Sequence, residues 1–219
     1  MTDNVNTAIW DDLYKKRQSL LKYPDSTFVT LLHRHLSIAQ HCTVLDYGFG
    51  GGANMRVMLR RGHRVTGVEI SDAVIQINQQ ILVEEGLNAT LVKTEDNALP
   101  FADNSFDAIV PWHVLGYNSV ASISSVLQEF KRVLKPDGVV LATLPAFGDV
   151  SHQGAKKISD WEYVSNVVGQ EGAHVLCLPD EQSVCALLSQ PDARVGLMQS
   201  PLLDGQYSRH WVFSYANRK

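Results

Sequence analysis

Short apolar runs alternate with amphipathic stretches through the middle of the chain, and turn residues mark each change. Residues 43–46 (TVLD), 64–69 (RVTGVE), 89–93 (ATLVK), 106–111 (FDAIVP) and 139–145 (VVLATLP) are short and rich in β-branched residues, and each predicts a strand. Between them the spacing lengthens to that of a helix. One helix is predicted from about 52 to 61, closed by Gly62 as a left-handed cap. A second begins at the capping pair Ser71-Asp72, carries Val74, Ile77 and Ile81 on one face, and stops at Gly86. Ile123, Val126, Leu127, Phe130 and Val133 mark a third, stopped by Lys135-Pro136-Asp137-Gly138. Asp103-Asn104-Ser105 supplies the turn before the fourth strand. This alternation, from 42 to about 146, predicts an α/β domain: a parallel sheet with helices on both faces.

The flanks are less regular. Residues 7–38 read as helical, with Ile9, Leu13, Leu20 and Leu21 in one apolar stripe. Pro24 breaks the stripe, and Asp25 or Ser26 can cap a second helix running towards Leu36. Residues 146–175 mix Gly148, Gly154, Gly169 and Gly172 with Trp161 and Tyr163 and predict no regular element. Asp180 can cap a helix over 181–189. Residues 194–199 and 209–215 read as two strands joined through Asp204-Gly205, a hairpin signal. With no repeat and no low-complexity tract, the expectation is one domain: a leader over 1–40, a core over 41–146 and a third segment over 147–219.

A net charge of −4 on 219 residues gives no electrostatic footprint for nucleic acid. The one basic cluster, Arg56, Arg60, Arg61, His63 and Arg64, reads as the solvated face and end of a helix, or else as a surface for an anionic acceptor. The first sixteen residues are polar and lack the roughly 7–15-residue apolar core of a signal peptide. No run approaches the about 18 apolar residues of a membrane span. A cytoplasmic location without membrane contact is therefore expected. Cys42, Cys177 and Cys185 are odd in number and show no metal spacing, which predicts reduced thiols and no metal site.

The chemistry gathers at residues 44–55, VLDYGFGGGANM, where a strand runs into glycines and then a helix. Gly48-x-Gly50-x-x-Ala53 satisfies the dinucleotide fingerprint. Asp46-x-Gly48-x-Gly50-x-Gly52 satisfies the loop that holds S-adenosylmethionine. A carboxylate at the end of the first strand would repel a pyrophosphate, at a cost that grows in a cleft of low dielectric constant. Adenosylmethionine has no phosphate and carries a sulfonium and an ammonium, which Asp46 suits. Glu69, at the end of the second strand, can accept hydrogen bonds from both ribose hydroxyls of either cofactor.

Four ordered signatures decide between the two. Asp46-x-Gly48-x-Gly50-x-Gly52, Gly67-Val68-Glu69-Ile70-Ser71, Leu99-Pro100-Phe101-Ala102-Asp103-Asn104-Ser105-Phe106-Asp107 and Lys131-Arg132-Val133-Leu134-Lys135-Pro136-Asp137-Gly138 together resemble the class I S-adenosylmethionine-dependent methyltransferases, most closely their small-molecule branch. The resemblance covers residues 42–146. It implies a Rossmann-like, seven-stranded, mostly parallel sheet whose last strand is antiparallel and enters through a C-terminal hairpin. It places Glu95 at the adenine amino group and the Asp96 amide at adenine N1, although the Glu-Asp pair leaves open which carboxylate reaches the base. Ile70 would pack on the adenine face, Pro111 and Trp112 would line the methionine end, and a leader helix bearing Trp10, Tyr14 and Tyr23 would close over the sulfonium. Phe49 replaces a frequent Cys at a position expected to contribute mainly backbone.

Displacement at a methyl sulfonium needs alignment and exclusion of water, and a general base only where the acceptor carries a proton. His113, just past the fourth strand, is the candidate base, with His152 second. His33, His35, His41, His63, His174 and His210 read as surface or packing residues. The expected function is methyl transfer from S-adenosylmethionine, giving S-adenosylhomocysteine, to an oxygen or nitrogen of a small-molecule acceptor. Its alternatives are a cofactor-binding module without catalysis and an NAD(P)-dependent oxidoreductase, against which Asp46 stands. The acceptor pocket would draw on the leader, residues 112–117 and residues 146–175, none of which carries a diagnostic motif.

Overall fold

The computed structural model describes residues 2–35, 41–94 and 98–218. Five strands, β1 (Thr43–Tyr47), β2 (Arg64–Glu69), β3 (Thr90–Lys93), β4 (Phe106–Val110) and β5 (Leu134–Pro145), pair in parallel. Three short strands, β6 (Lys156–Lys157), β7 (Glu162–Val164) and β8 (His174–Leu176), form a separate antiparallel sheet. The last two, β9 (Arg194–Pro201) and β10 (Tyr207–Ala216), form a hairpin whose β10 inserts antiparallel between β5 and β9. The large sheet therefore runs β3-β2-β1-β4-β5-β10-β9. Chain direction away from β1 reverses between β2 and β4, and the crevice beyond the carboxyl ends of β1 and β4 is where open α/β sheets take ligands.

The central strands β1 and β4 and the second half of β5 are buried along most of their length because both faces of the sheet are covered there. Period-2 alternation then splits their residues between two cores. Leu45, Ile109, Val140 and Ala142 pack on one side with Ile123, Val126 and Phe130 of α5 (Val120–Val133) and Val184 and Leu188 of α6 (Glu181–Leu188). Val44, Ala108, Val110 and Leu141 pack on the other, against α2 (Ser26–His35), α3 (Ala53–Arg60) and α4 (Asp72–Glu84). Each fully buried large side chain in these cores contributes about 1.5–3 kcal/mol of transfer free energy.

Several expectations shift. The first helix, α1, spans Thr2–Lys15 and ends at Arg17, whose φ is 55°, so Leu20 and Leu21 lie past it and do not extend its stripe. Pro24 therefore interrupts no helix. Asp25 caps α2: its Oδ1 accepts from the amides of Thr27 at 2.7 Å and Phe28 at 3.1 Å. Leu36 lies outside the described residues. On α4 the buried face is Val74, Ile75, Asn78 and Leu82, rotated away from Ile77 and Ile81. The irregular stretch after β5 contains the small β6–β8 sheet. At Asp204-Gly205 both residues take positive φ, 59° and 74°, as a tight hairpin connection requires.

Candidate functional site

At the end of β1 the chain enters the glycine loop, in which Gly48, Gly50 and Gly52 all take positive φ. None of them has an alternative: a Cβ on Gly48 would run into the Val114 side chain. A Cβ on Gly50 would stand 2.9 Å from the Tyr14 hydroxyl, and one on Gly52 would run into the Asn78 carboxamide. Asn78 occupies the centre of the buried face of α4 because it holds the loop: its Nδ2 donates to Gly50 O at 2.8 Å and to Val74 O at 2.9 Å.

Arg56 secures the loop from the other side. Its guanidinium donates to Gly51 O at 2.8 Å and to Lys22 O at 3.1 Å, tying loop to leader, with Glu85 at 3.5 Å. The expectation of a solvated basic face thus fails at its first member. Arg56 and His63 are buried, and only Arg60 and Arg64 are exposed. Helix geometry explains it, since Arg56 shares its face with Ala53 and the loop, whereas Arg60 bonds Glu85 at the surface. Phe49 likewise gives more than backbone: its buried ring covers Gly67 of β2 so closely that no Cβ would fit there.

Two carboxylates meet beside this loop. Asp46 is 2% exposed, and its Oδ2 accepts no hydrogen bond. Burial, and then the nearby Glu69, push its acid up to about 8. Glu69 is also buried; its Oε2 accepts from Gly50 N at 3.1 Å and its Oε1 from Ile70 N at 2.7 Å. Desolvation still holds it above the usual carboxylate range, against those amide bonds. A buried carboxyl group with one oxygen unpaired, beside a second that has only backbone amides as partners, favours a ligand that brings positive charge and disfavours a pyrophosphate.

Above the loop lies a cleft of about 330 Å³. Its walls include Trp10 and Tyr14 of α1, Tyr23 and Asp25 of the segment leading into α2, and Trp112 and His113 beyond β4. The leader is stapled across it. Ser71 Oγ donates to Asp11 Oδ1 at 2.7 Å, and Asn6 Nδ2 donates to Tyr117 O at 2.6 Å and to His174 O at 3.0 Å, while Asn6 Oδ1 accepts from His174 N. Tyr14 is buried against Gly50, and desolvation followed by the Glu69 charge keeps its phenol protonated far above the ordinary tyrosine range.

His113 takes φ 58°, rare for a residue with a Cβ, and its amide donates to Thr143 Oγ1 at 2.8 Å. Its Nε2 stands 3.9 Å from Asp25 Oδ2. Its ring meets that of His210 edge-on, with centroids 4.4 Å apart. His210, read from the sequence as a surface or packing residue, is largely buried against His113 and Asp149, brought there because β10 sets it opposite Pro145 at the end of β5. His152 stacks on Phe147 at 4.5 Å beside Tyr163 and is absent from the cleft wall. Asp46, Gly48, Gly50, Gly52, Glu69, Tyr14, Trp112 and His113 thus gather at one edge of the sheet. Pro111 is buried at the end of β4, and Ile70, half-buried, follows Glu69 outside the cleft wall. Glu95 and Asp96 lie outside the described residues.

The comparisons agree with this geometry. The family described as "Methyltransferase domain" matches residues 44–138, the span from β1 to the turn inside β5. This segment is a methyltransferase domain. A glycine/sarcosine/dimethylglycine N-methyltransferase of Actinopolyspora halophila is 31% identical over 67% of this chain and 27% of its own length. The ubiquinone/menaquinone biosynthesis C-methyltransferase UbiE of Legionella pneumophila (strain Philadelphia 1) is 31% identical over 61% of this chain and 53% of its own. The chain thus spans about half or less of these curated relatives. In three dimensions, a 1,6-didemethyltoxoflavin-N1-methyltransferase of Burkholderia thailandensis, solved with S-adenosylhomocysteine, superposes with a TM-score of 0.71 at 17% identity, covering 99% of this chain and 88% of that one. The Rossmann-like class I fold with its inserted terminal strand is therefore established, and S-adenosylmethionine is the cofactor that the domain and its loop fit.

Proposed function

We propose that the chain transfers a methyl group from S-adenosylmethionine to an oxygen or nitrogen of a small-molecule acceptor. The observation that carries this reading is the pair Asp46 and Glu69, buried beside the glycine loop and short of positive charge. When bound, the cofactor supplies an electrophilic methyl on a sulfonium. Asp46 would hold its ammonium, Glu69 its ribose, and the aromatic faces of Trp10, Tyr14 and Trp112 suit a cation. The leader, pinned through Asn6, Asp11 and Lys22, excludes water from the methyl group. His113, on the cleft wall, would take the acceptor's proton.

The chemistry of the wall narrows the acceptor. Among the described residues, the cleft is lined by Asp25 and by neither Lys nor Arg, and the arginines of α3 turn to the loop or to Glu85. An acceptor carrying a carboxylate or phosphate would find no fixed cation there, so we favour one without. In this the chain differs from what its Actinopolyspora relative's name implies, since glycine and sarcosine both bear carboxylates. The test is titration calorimetry with S-adenosylmethionine, S-adenosylhomocysteine and NADH on the wild-type chain and Glu69→Ala. Micromolar binding of the first two, lost in the variant and absent for NADH, supports the reading; NADH binding alone sinks it. Transfer of labelled methyl to a panel of neutral phenols and amines, against amino acids and phosphates, then tests the acceptor class.

A further inference from the structure

Four ionisable side chains from four separate parts of the chain run inward from the cleft wall, where Asp25 and His113 stand. Asp25 comes from the cap of α2, His113 from the loop after β4, His210 from β10 and Asp149 from the loop after β5. Asp25 Oδ2 to His113 Nε2 is 3.9 Å, the two rings are 4.4 Å apart, and His210 Nδ1 to Asp149 Oδ2 is 3.6 Å. Both ends are anchored. Asp25 uses its other oxygen to cap α2. Asp149, 2% exposed, accepts from Ser151 N at 2.8 Å, Ser151 Oγ at 2.5 Å and Arg209 N at 2.7 Å. The middle is strained, because His113 is held at positive φ by the bond of its amide to Thr143 Oγ1. Packing alone requires neither that backbone conformation nor a carboxylate facing each ring.

We propose that Asp25, His113, His210 and Asp149 act as one proton-handling chain, in which the leader supplies the carboxylate that orients His113 and stabilises it while it carries the acceptor's proton. The proposal rests on the methyltransferase reading and adds to it three positioning residues, Asp25, His210 and Asp149. The step balances: the acceptor heteroatom bonds the methyl carbon, the methyl–sulfur bond breaks with its electron pair left on sulfur, and the acceptor's proton passes to the unprotonated ring nitrogen of His113 and later to water. Beside Nε2 stands an ionised carboxylate. Burial of Asp25 works against that charge, but the His113 bond and the amides of Phe28 and Thr27 outweigh it and hold the acid below its usual range. Behind His113 stands a ring that stays neutral. Burial, and then the neighbouring His113, lower His210 to about 4, against the opposing pull of Asp149 and Asp25. A charged His210 would oppose the protonation of His113 across 4.4 Å; a neutral one does not. The chain suits an acceptor that loses a proton from oxygen or nitrogen.

The test is a pH titration by nuclear magnetic resonance of the full chain, labelled at aspartate carboxyl carbons and histidine ring nitrogens. The variants are His113→Asn, which tolerates the left-handed backbone, and Asp25→Ser, which keeps the cap of α2 and removes the charge. In His113→Asn both Asp25 and His210 are expected to titrate at higher pH than in the wild type. In Asp25→Ser, His210 is expected to titrate lower, with the thermal midpoint unchanged to within about 2 °C. A packing role would leave those titrations in place. Unmoved Asp25 and His210 in His113→Asn, or an unmoved His210 in Asp25→Ser, overturns the proposal, and the second variant decides if the first does not fold. Calorimetry of the wild-type chain with S-adenosylhomocysteine is read separately. Binding with no titration coupling removes the proton chain alone, whereas coupling with no binding removes the methyltransferase reading and leaves the chain of groups standing.

Discussion

Beside the glycine loop, Asp46 is buried with its Oδ2 unpaired and Glu69 is buried with two backbone amides as partners, and desolvation holds both above the usual carboxylate range. At the acceptor end, Asp25 is half-buried, yet a helix cap and His113 hold it below that range. The same residue type is thus used in two ways within one cleft. On the proposed function, the first pair stores an electrostatic deficit that a cationic ligand would relieve. The second is satisfied by the protein itself and keeps its charge available for a proton carried by a neighbour.

Removing the deficit should have the largest effect. Asp46→Asn is expected to weaken S-adenosylmethionine binding about 100-fold, the loss of a charge-assisted contact in a buried site. Calorimetry measures it, and unchanged affinity would break the contrast between the two ends. The same substitution should make the ligand-free chain more stable above neutrality. The sign follows from linkage: an acid raised to about 8 keeps its proton in the folded state while the unfolded chain has released it, so stability falls as pH rises towards 8. Histidines lowered by burial, such as His210, act the other way, but only below the ordinary value of 6.5. Thermal midpoints between pH 6.5 and 8 should therefore decline in the wild type and flatten in Asp46→Asn.

Next comes the clamp between loop and leader. Arg56→Met keeps much of the side-chain volume but leaves the carbonyls of Gly51 and Lys22 without their donor. It is expected to cost about 2–3 kcal/mol in urea unfolding and to weaken cofactor binding about 10-fold. Arg60→Ala, at an exposed pair with Glu85, should change stability by under about 0.5 kcal/mol. Equal effects of the two would mean that the basic face is solvated after all.

What the sequence reveals of each end follows from how each is assembled. The loop end is written in short spacings: Asp46 to Gly52 lie in one turn, and Glu69 closes the next strand, so period and motif read them directly. Asn78 escapes that reading because a polar residue lowers the apolar score of its face; its job, holding Gly50 O, shows only once α4 packs on the loop. Arg56 escapes for the same reason. The acceptor end joins Asp25, His113, Asp149 and His210 through tertiary contacts between distant segments, and no local pattern marks them. His113 was reachable from its place after β4, whereas His210 needed the antiparallel insertion of β10, which a hairpin signal predicts in outline but not in register. The leader erred in length, since Leu20 and Leu21 continue an apolar rhythm after the helix has ended at Lys15.

The smallest effect distinguishes contact from packing at the seam between the two ends. Tyr14 packs its ring with Trp10 at 5.8 Å, while its hydroxyl sits against Gly50. Tyr14→Phe keeps the ring, and with it both the aromatic face and the seal over the loop. If the residue serves through that face, S-adenosylmethionine affinity should fall by no more than about 3-fold, a fraction of one hydrogen bond. Tyr14→Ala, which opens the seal, should cost far more. A loss of about 10-fold or greater in Tyr14→Phe would instead show that the phenol O–H, kept protonated by burial and by the Glu69 charge, donates directly to the ligand. The leader would then belong to the ligand-completed end of the cleft as well as to the self-satisfied one.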